Sequence, residues 1–226
     1  MSADAGLDDT ALRASICRVG RSLFERGLAH GTAGNISVRL AAEAGFLITP
    51  TDACLGFLEP AALALVDVTG RQRSGAPASK TLALHRAIYA SDPTAHCVLH
   101  SHSTHLVALT LAGVWRPDAV LPPITPYFVM KVGRVPLVAY RRPGDPAVAD
   151  EVARAMTTAR AAGVPIRAVL CERLGPVVWH GSPAAAMATL EELEETARLW
   201  LMLTPRPVPL TDAQLAELRS AFGADT

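Results

Sequence analysis

Apolar residues recur every three or four positions between residues 8 and 26, where Leu12, Ile16, Val19, Leu23 and Phe24 follow Asp8-Asp9-Thr10 and precede Gly27. That spacing predicts an amphipathic helix with a polar start and a glycine stop. Beyond it the pattern shortens to β-rich runs at 34–39, 45–49, 63–67, 96–100, 135–139, 166–170 and 176–180, with helical periodicity at about 80–91, 104–112 and 146–162. Ser182-Pro183 supplies a cap and a first-turn proline for a further helix that carries Met187, Leu190, Leu193, Ala197 and Leu201 on one side. Glu191, Glu192, Glu194 and Glu195 fall mostly off that stripe and read as a solvated face. Thr211-x-x-Gln214 has the form of a capping box for a short terminal helix. The prolines at 205, 207 and 209 form the connector before it.

Composition narrows the possibilities without choosing among them. At 226 residues, half of them hydrophobic, the chain fits one domain over 1–226 with a substantial core. Twenty-one basic and 21 acidic side chains give no net charge, which argues against a nucleic-acid or anionic-membrane partner and leaves small ligands as the better fit. Cys17, Cys54, Cys97 and Cys171 are scattered and beside apolar residues, as expected of reduced thiols in a cytoplasmic protein. The N-terminal segment lacks the basic-then-apolar order of a signal peptide, and no uncharged apolar run reaches the ~18 residues of a membrane span.

Candidate chemistry concentrates in Val98-Leu99-His100-Ser101-His102-Ser103-Thr104-His105, which holds three of the chain's seven histidines. Side chains two apart on a strand share a face, so His100 and His102 can turn toward one ion. Imidazoles serve equally as ordinary hydrogen-bonding groups at a polar strand end, and the spacing alone leaves both readings open. Three turns add small donors and a cation. Gly31-Thr32-Ala33-Gly34-Asn35 offers a backbone able to approach an anion, Thr49-Pro50-Thr51-Asp52 follows an apolar strand, and Ala78-Ser79-Lys80-Thr81 places Lys80 beside a helix start.

In this order, with LITPTDACLG, VLHSHSTH, ITPYFVMKVGRVPLV, YRRPGDPAVAD and EELEETARLW, these segments resemble the class II aldolase/adducin family, from Ile16 to about Phe222. Within it they resemble the 3-oxo-tetronate 4-phosphate decarboxylase branch. The resemblance implies a three-layer α/β/α sandwich around a mainly antiparallel sheet, and a homotetramer with active sites at subunit interfaces. It also implies a divalent metal, usually zinc, and a carbon–carbon lyase acting on a small phosphorylated oxo sugar acid. Matched by position, Gly34, Asn35, Thr51, Ser79 and Lys80 correspond to the phosphate holders, and His100 and His102 to two metal ligands. Lys80 and Tyr127 are the candidate catalytic residues, Tyr127 as proton donor.

Three positions depart from that pattern. Leu174 stands where the third histidine ligand is expected, so Glu172, His105 or His180 would have to replace it, and Glu172 is the candidate carried forward. Thr81 replaces a glutamate that serves as acid/base, which disfavours retro-aldol cleavage more than decarboxylation. Asp52 replaces a glycine that approaches phosphate. Arg141, Arg142 and Asp145 read as a turn into the following helix, with Asp145 as its cap. The competing readings are a non-catalytic adducin-like assembly protein, a sugar-phosphate aldolase with an altered metal site, and a metal-free lyase using Lys80 as a Schiff-base amine.

Overall fold

A computed structural model describes residues 9–40 and 45–223; residue 8, the expected start of the first helix, lies outside the described residues. The helix α1 runs Asp9–Glu25 and leads through a loop into β1 (Asn35–Arg39) and β2 (Phe46–Ile48). Then come β3 (Ala64–Val66), β4 (Gln72–Ser74), α2 (Leu82–Ser91), β5 (Cys97–His100) and α3 (Thr104–Ala112). The second half supplies α4 (Pro126–Lys131), β6 (Leu137–Val138), α5 (Ala147–Ala161), β7 (Ala168–Cys171), β8 (Gly175–His180), α6 (Pro183–Met202) and α7 (Asp212–Phe222).

The strands form a single eight-stranded sheet in the order β4-β3-β2-β1-β5-β8-β7-β6. Every pairing is antiparallel except β6 with β7, whose parallel register is allowed by the α5 crossover between them. Alternation along the central strands sends side chains to opposite faces. Ile36, Val38, Leu47, Cys97, Leu99, Leu170 and Val178 join one core with residues of α1, α3, α4 and α6. Phe46, Ile48, Val98, Val169, Val177 and Trp179 join another with α2 and α5. Burial on both faces explains why these strands read as continuous apolar runs, and the result is the three-layer sandwich with a mainly antiparallel sheet that the resemblance implies.

Two of the three expected caps act as the sequence suggests. Ser182 Oγ accepts the Ala185 N–H, and Thr211 with Gln214 completes the capping box. At α5 the N-cap is Pro146 rather than the expected Asp145, which stands one residue earlier and accepts the Ala147 N–H through Oδ1. Two elements escape the pattern analysis. The three residues of β4 are all exposed at the sheet edge, so no alternation marks them, and the single turn and a half of α4 sits in a proline-rich stretch, started by the Thr125 side chain accepting from the Phe128 N–H. Among the described residues the four cysteines are free, Cys97 and Cys171 buried and Cys17 and Cys54 half-buried. No helix among the described residues is long and apolar enough to cross a membrane.

Candidate active site

A cavity of about 530 Å3 opens where β1 begins and β5 ends, on the α2/α5 side of the sheet. Its walls include Gly34 and Asn35, the turn at Thr51 and Asp52, Ser79-Lys80-Thr81, both histidines of the His-x-His pair, and Leu174. The residues matched to the phosphate holders therefore lie in one cavity with the histidine pair, although they come from segments up to 46 positions apart in the chain.

Local backbone contacts build this convergence. The Thr51 N–H donates to the Pro77 carbonyl at 2.8 Å and the Ser79 N–H to the Thr49 carbonyl at 3.1 Å, which ties the turn after β2 to the segment before α2. At Gly34 (φ +93) a Cβ would stand 2.8 Å from the His100 carbonyl oxygen, so the glycine permits the loop to press against the end of β5. Asp52 has a left-handed backbone, φ 55, where the resemblance leads one to expect glycine. Its carboxylate faces Lys80, Nζ to Oδ2 3.5 Å, and both side chains are largely exposed. Ser79 Oγ and Thr81 Oγ1 lie 2.9 Å apart, so the hydroxyl of Thr81 is engaged locally.

The histidine pair has the geometry of two ligands to one ion. Its Nε2 atoms lie 3.1 Å apart, close to the roughly 3.3 Å separation of two nitrogens each about 2.05 Å from a tetrahedral centre. The Nδ1–H of His100 donates to the Pro176 carbonyl at 2.8 Å, leaving the Nε2 lone pair directed at its neighbour. Burial, followed by the nearby His102, pushes the His100 pKa down to about 4, against which the Pro176 bond acts. Burial and then His30 lower that of His102. Both rings are therefore neutral, the form that ligates.

The rest of the predicted ligand set does not assemble within the chain. Glu172 is not brought to the pair: its Oε2 accepts the Tyr140 N–H at 2.9 Å, and it does not line the cavity. β7 ends at Cys171, and Arg173 turns with φ 62, so the period-two rule relating Glu172 to position 174 fails across the turn. His105 donates to Glu194 at 2.8 Å, and His180 Nε2 lies 2.8 Å from Arg167, at the other end of β8. Leu174 itself lines the cavity. Among the described residues no three of His, Cys, Asp or Glu converge on a metal position. The two histidines would thus hold a divalent ion as a pair in the cavity wall, without a third protein ligand beside them among the described residues.

Tyr127 also lies elsewhere. It is 62% exposed on α4 and borders a separate cavity with Lys131, His105 and the glutamates of α6. Pattern reasoning missed three other residues. Arg142, assigned to a turn, lines the active-site cavity. Cys171 lies in its wall with burial raising the thiol to about 12. His85, fully buried behind Asn35, was legible only as a member of a helix. Their positions follow from the sheet register and the β6–α5 loop, for which the local sequence carries no signal.

Residues 14–201 match the Class II Aldolase and Adducin N-terminal domain, and the chain belongs to the class II aldolase/adducin family. A curated relative from Cupriavidus necator, named 3-oxo-tetronate 4-phosphate decarboxylase, is 58% identical over 221 residues, covering 96% of this chain and 98% of the relative. The protein of the same name from Escherichia coli K12 is 40% identical over 213 residues, covering 94% and 97%. Among solved structures, YgbL from Escherichia coli superposes with a TM-score of 0.85 at 40% identity, covering 93% of this chain and 99% of that one. Divalent-metal binding is the family's expectation.

Proposed function

We propose that this chain is a metal-dependent carbon–carbon lyase that removes carbon dioxide from a 3-oxo-tetronate 4-phosphate. The observation that carries the reading is the shared cavity, which is lined both by the residues matched to the phosphate holders and by two neutral imidazoles whose Nε2 atoms converge. The high identity to relatives named for that reaction supports it.

In this reading Gly34, Asn35, Thr51, Ser79 and Lys80 hold the phosphate, with Lys80 as the cation and the others as hydrogen-bond donors. His100 and His102 would hold the ion, taken to be zinc, in the wall of the cavity that Leu174 also lines. A divalent ion bound there supplies Lewis acidity to the oxo and hydroxyl oxygens of the substrate. The bond between the carboxylate carbon and its neighbour breaks, the electron pair passes toward the adjacent oxo group, and carbon dioxide leaves. Protonation of the carbon left behind gives a three-carbon ketone phosphate. No proton is removed from carbon at the outset, so Thr81 in place of a carboxylate is compatible with this reaction, whereas retro-aldol cleavage needs a base.

The exposure of Tyr127 supports a role across a subunit boundary: in a homotetramer it would reach the cavity of a neighbouring copy and return the proton. The cytoplasm is the compartment that suits the free thiols. Incubation of metal-replete protein with 3-oxo-tetronate 4-phosphate should release one carbon dioxide per substrate consumed. Replacing both His100 and His102 by alanine should abolish both turnover and the bound ion. A folded, metal-replete enzyme that leaves the substrate intact would refute the assignment.

A further inference from the structure

Behind the anion-binding wall lies a chain of four polar side chains that the proposed reaction does not use. Tyr89 OH is 2.8 Å from Ser37 Oγ, Ser37 Oγ is 2.7 Å from His85 Nδ1, and His85 Nε2 is 2.6 Å from Asn35 Oδ1. Two elements bring them together. Asn35 and Ser37 are alternate residues of β1 on one face of the sheet, and His85 and Tyr89 are four apart on α2, so both pairs face each other across the layer. All four are buried.

The direction of the hydrogens follows from counting donors. Tyr89 has one O–H and, among the described residues, one acceptor for it, Ser37 Oγ. If Tyr89 donates to Ser37, the Ser37 hydroxyl donates onward to His85 Nδ1, and the His85 Nε2–H is left to donate to an oxygen of Asn35. Reversing the sequence makes Ser37 the donor to Tyr89 and strands the buried Tyr89 proton without an acceptor. The wiring that satisfies every group places the Asn35 carbonyl against His85 and turns its NH2 the other way. Asn35 Nδ2 has no protein acceptor among the described residues, and Asn35 lines the cavity.

We infer that His85 is a positioning residue: through a hydrogen-bond relay from Tyr89 and Ser37 it fixes the Asn35 amide with its two N–H donors aimed at the bound anion. Without that relay the amide has two orientations of similar shape, one of which presents a carbonyl oxygen to a phosphate and repels it. Burial keeps the His85 ring uncharged, its pKa lowered to about 3, so the relay does not reverse as pH changes across the neutral range. The inference rests on the proposed anion site, but the wiring itself is independent of it.

The experiment therefore has two arms. Nitrogen-15 NMR of the wild-type chain, selectively labelled at histidine, should show His85 with Nε2 protonated and Nδ1 bare; the opposite tautomer overturns the inference whatever the substrate. Inorganic phosphate, titrated against wild type, His85→Gln and His85→Leu, reads the consequence. Glutamine can donate to Asn35 and accept from Ser37, so His85→Gln should stay within about 3-fold of wild type, whereas His85→Leu should weaken phosphate at least 10-fold. With substrate the same loss should appear in KM while kcat changes little. A folded His85→Leu variant that binds phosphate as wild type does overturns the inference. A wild-type chain with the expected tautomer and no phosphate binding refutes the anion site, and with it the role given to His85, while leaving the wiring intact.

Discussion

Asp52 is the cavity carboxylate that stands beside Lys80, where its charge opposes the proposed ligand, and the effect of removing it can be worked out from one distance. Its Oδ2 is 3.5 Å from Lys80 Nζ, and a phosphate oxygen bound to that ammonium would stand about 2.8 Å from it. The anion is then at most roughly 6.3 Å from the Asp52 carboxylate, a separation at which a dianion is repelled by about 1.3 kcal/mol in water. Screening at physiological ionic strength reduces this to about 0.6 kcal/mol, and the solvent exposure of both side chains argues for using these water-like values. Asp52→Asn preserves the shape and, since asparagine accepts the left-handed backbone at this position, introduces no new strain. The variant should bind the phosphorylated substrate about 3- to 9-fold more tightly, most visibly at low salt. The assay is KM at two ionic strengths, with inorganic phosphate as competitor. An unchanged or higher KM at low salt would show that the anion does not sit beside Lys80, and would refute the placement of the phosphate.

Three further outcomes follow from the same geometry. Leu174→His should add a third imidazole to the pair and tighten zinc by at least about 10- to 100-fold, the range by which even indirect partners of a ligand alter affinity; a competition titration with a chromophoric chelator measures it, and unaltered affinity in a folded variant would contradict the site. Glu194, whose carboxylate accepts the N–H groups of His105 and Leu106 and the His105 ring, satisfies free amides in the first turn of α3. Glu194→Ala should therefore cost about 1–3 kcal/mol in denaturant unfolding, and a variant within 0.3 kcal/mol of wild type, roughly the error of such measurements, would speak against this role. His85 has a folded pKa of about 3 against an ordinary 6.5, so between those values the unfolded chain takes up a proton that the folded chain refuses. Its contribution is complete above pH 6.5 and falls away as pH drops toward 3, with a slope of up to about 1.4 kcal/mol per unit. Unfolding free energies of wild type and His85→Gln, which keeps both hydrogen bonds and does not titrate, should lie close at pH 7 and separate toward pH 4 as only the wild type loses stability; parallel pH profiles would contradict the assignment.

Most of the sheet and the long helices were legible because burial on one or both faces imposes a period that the sequence must display, and because Ser182, Asp145 and Thr211 mark ends with hydrogen bonds that only a few residue types make. Where no such constraint acts, the pattern is silent. Edge strand β4 is wholly exposed, and α4 is too short to show a helical period. The site divides the same way. The His-x-His pair is local: β5 ends at His100, and His102 follows two residues on in the loop before α3 with its ring against that of His100. Glu172 and Leu174 look equivalent at period two, but the turn at Arg173 breaks the alternation, and no local rule reports a turn of that kind. The partnership of His85 with Asn35 spans 50 residues and arises from the packing of α2 over β1. Tyr127 carries no mark in its own sequence of which cavity it will border.

The anchoring of the histidine pair has an evolutionary side. His100 is oriented by the backbone carbonyl of Pro176, and the close approach of Gly175 to the Ser101 carbonyl, where an added Cβ would lie at 2.3 Å, sets the backbone beside His102. Neither contact involves the side chain at position 174, although that residue belongs to the same hairpin. Under the proposed metal role, substitutions there would change how many donors an ion met without moving the His100–His102 pair. A single codon would then set how firmly a bound ion was retained, while the backbone contacts that aim the pair stayed in place.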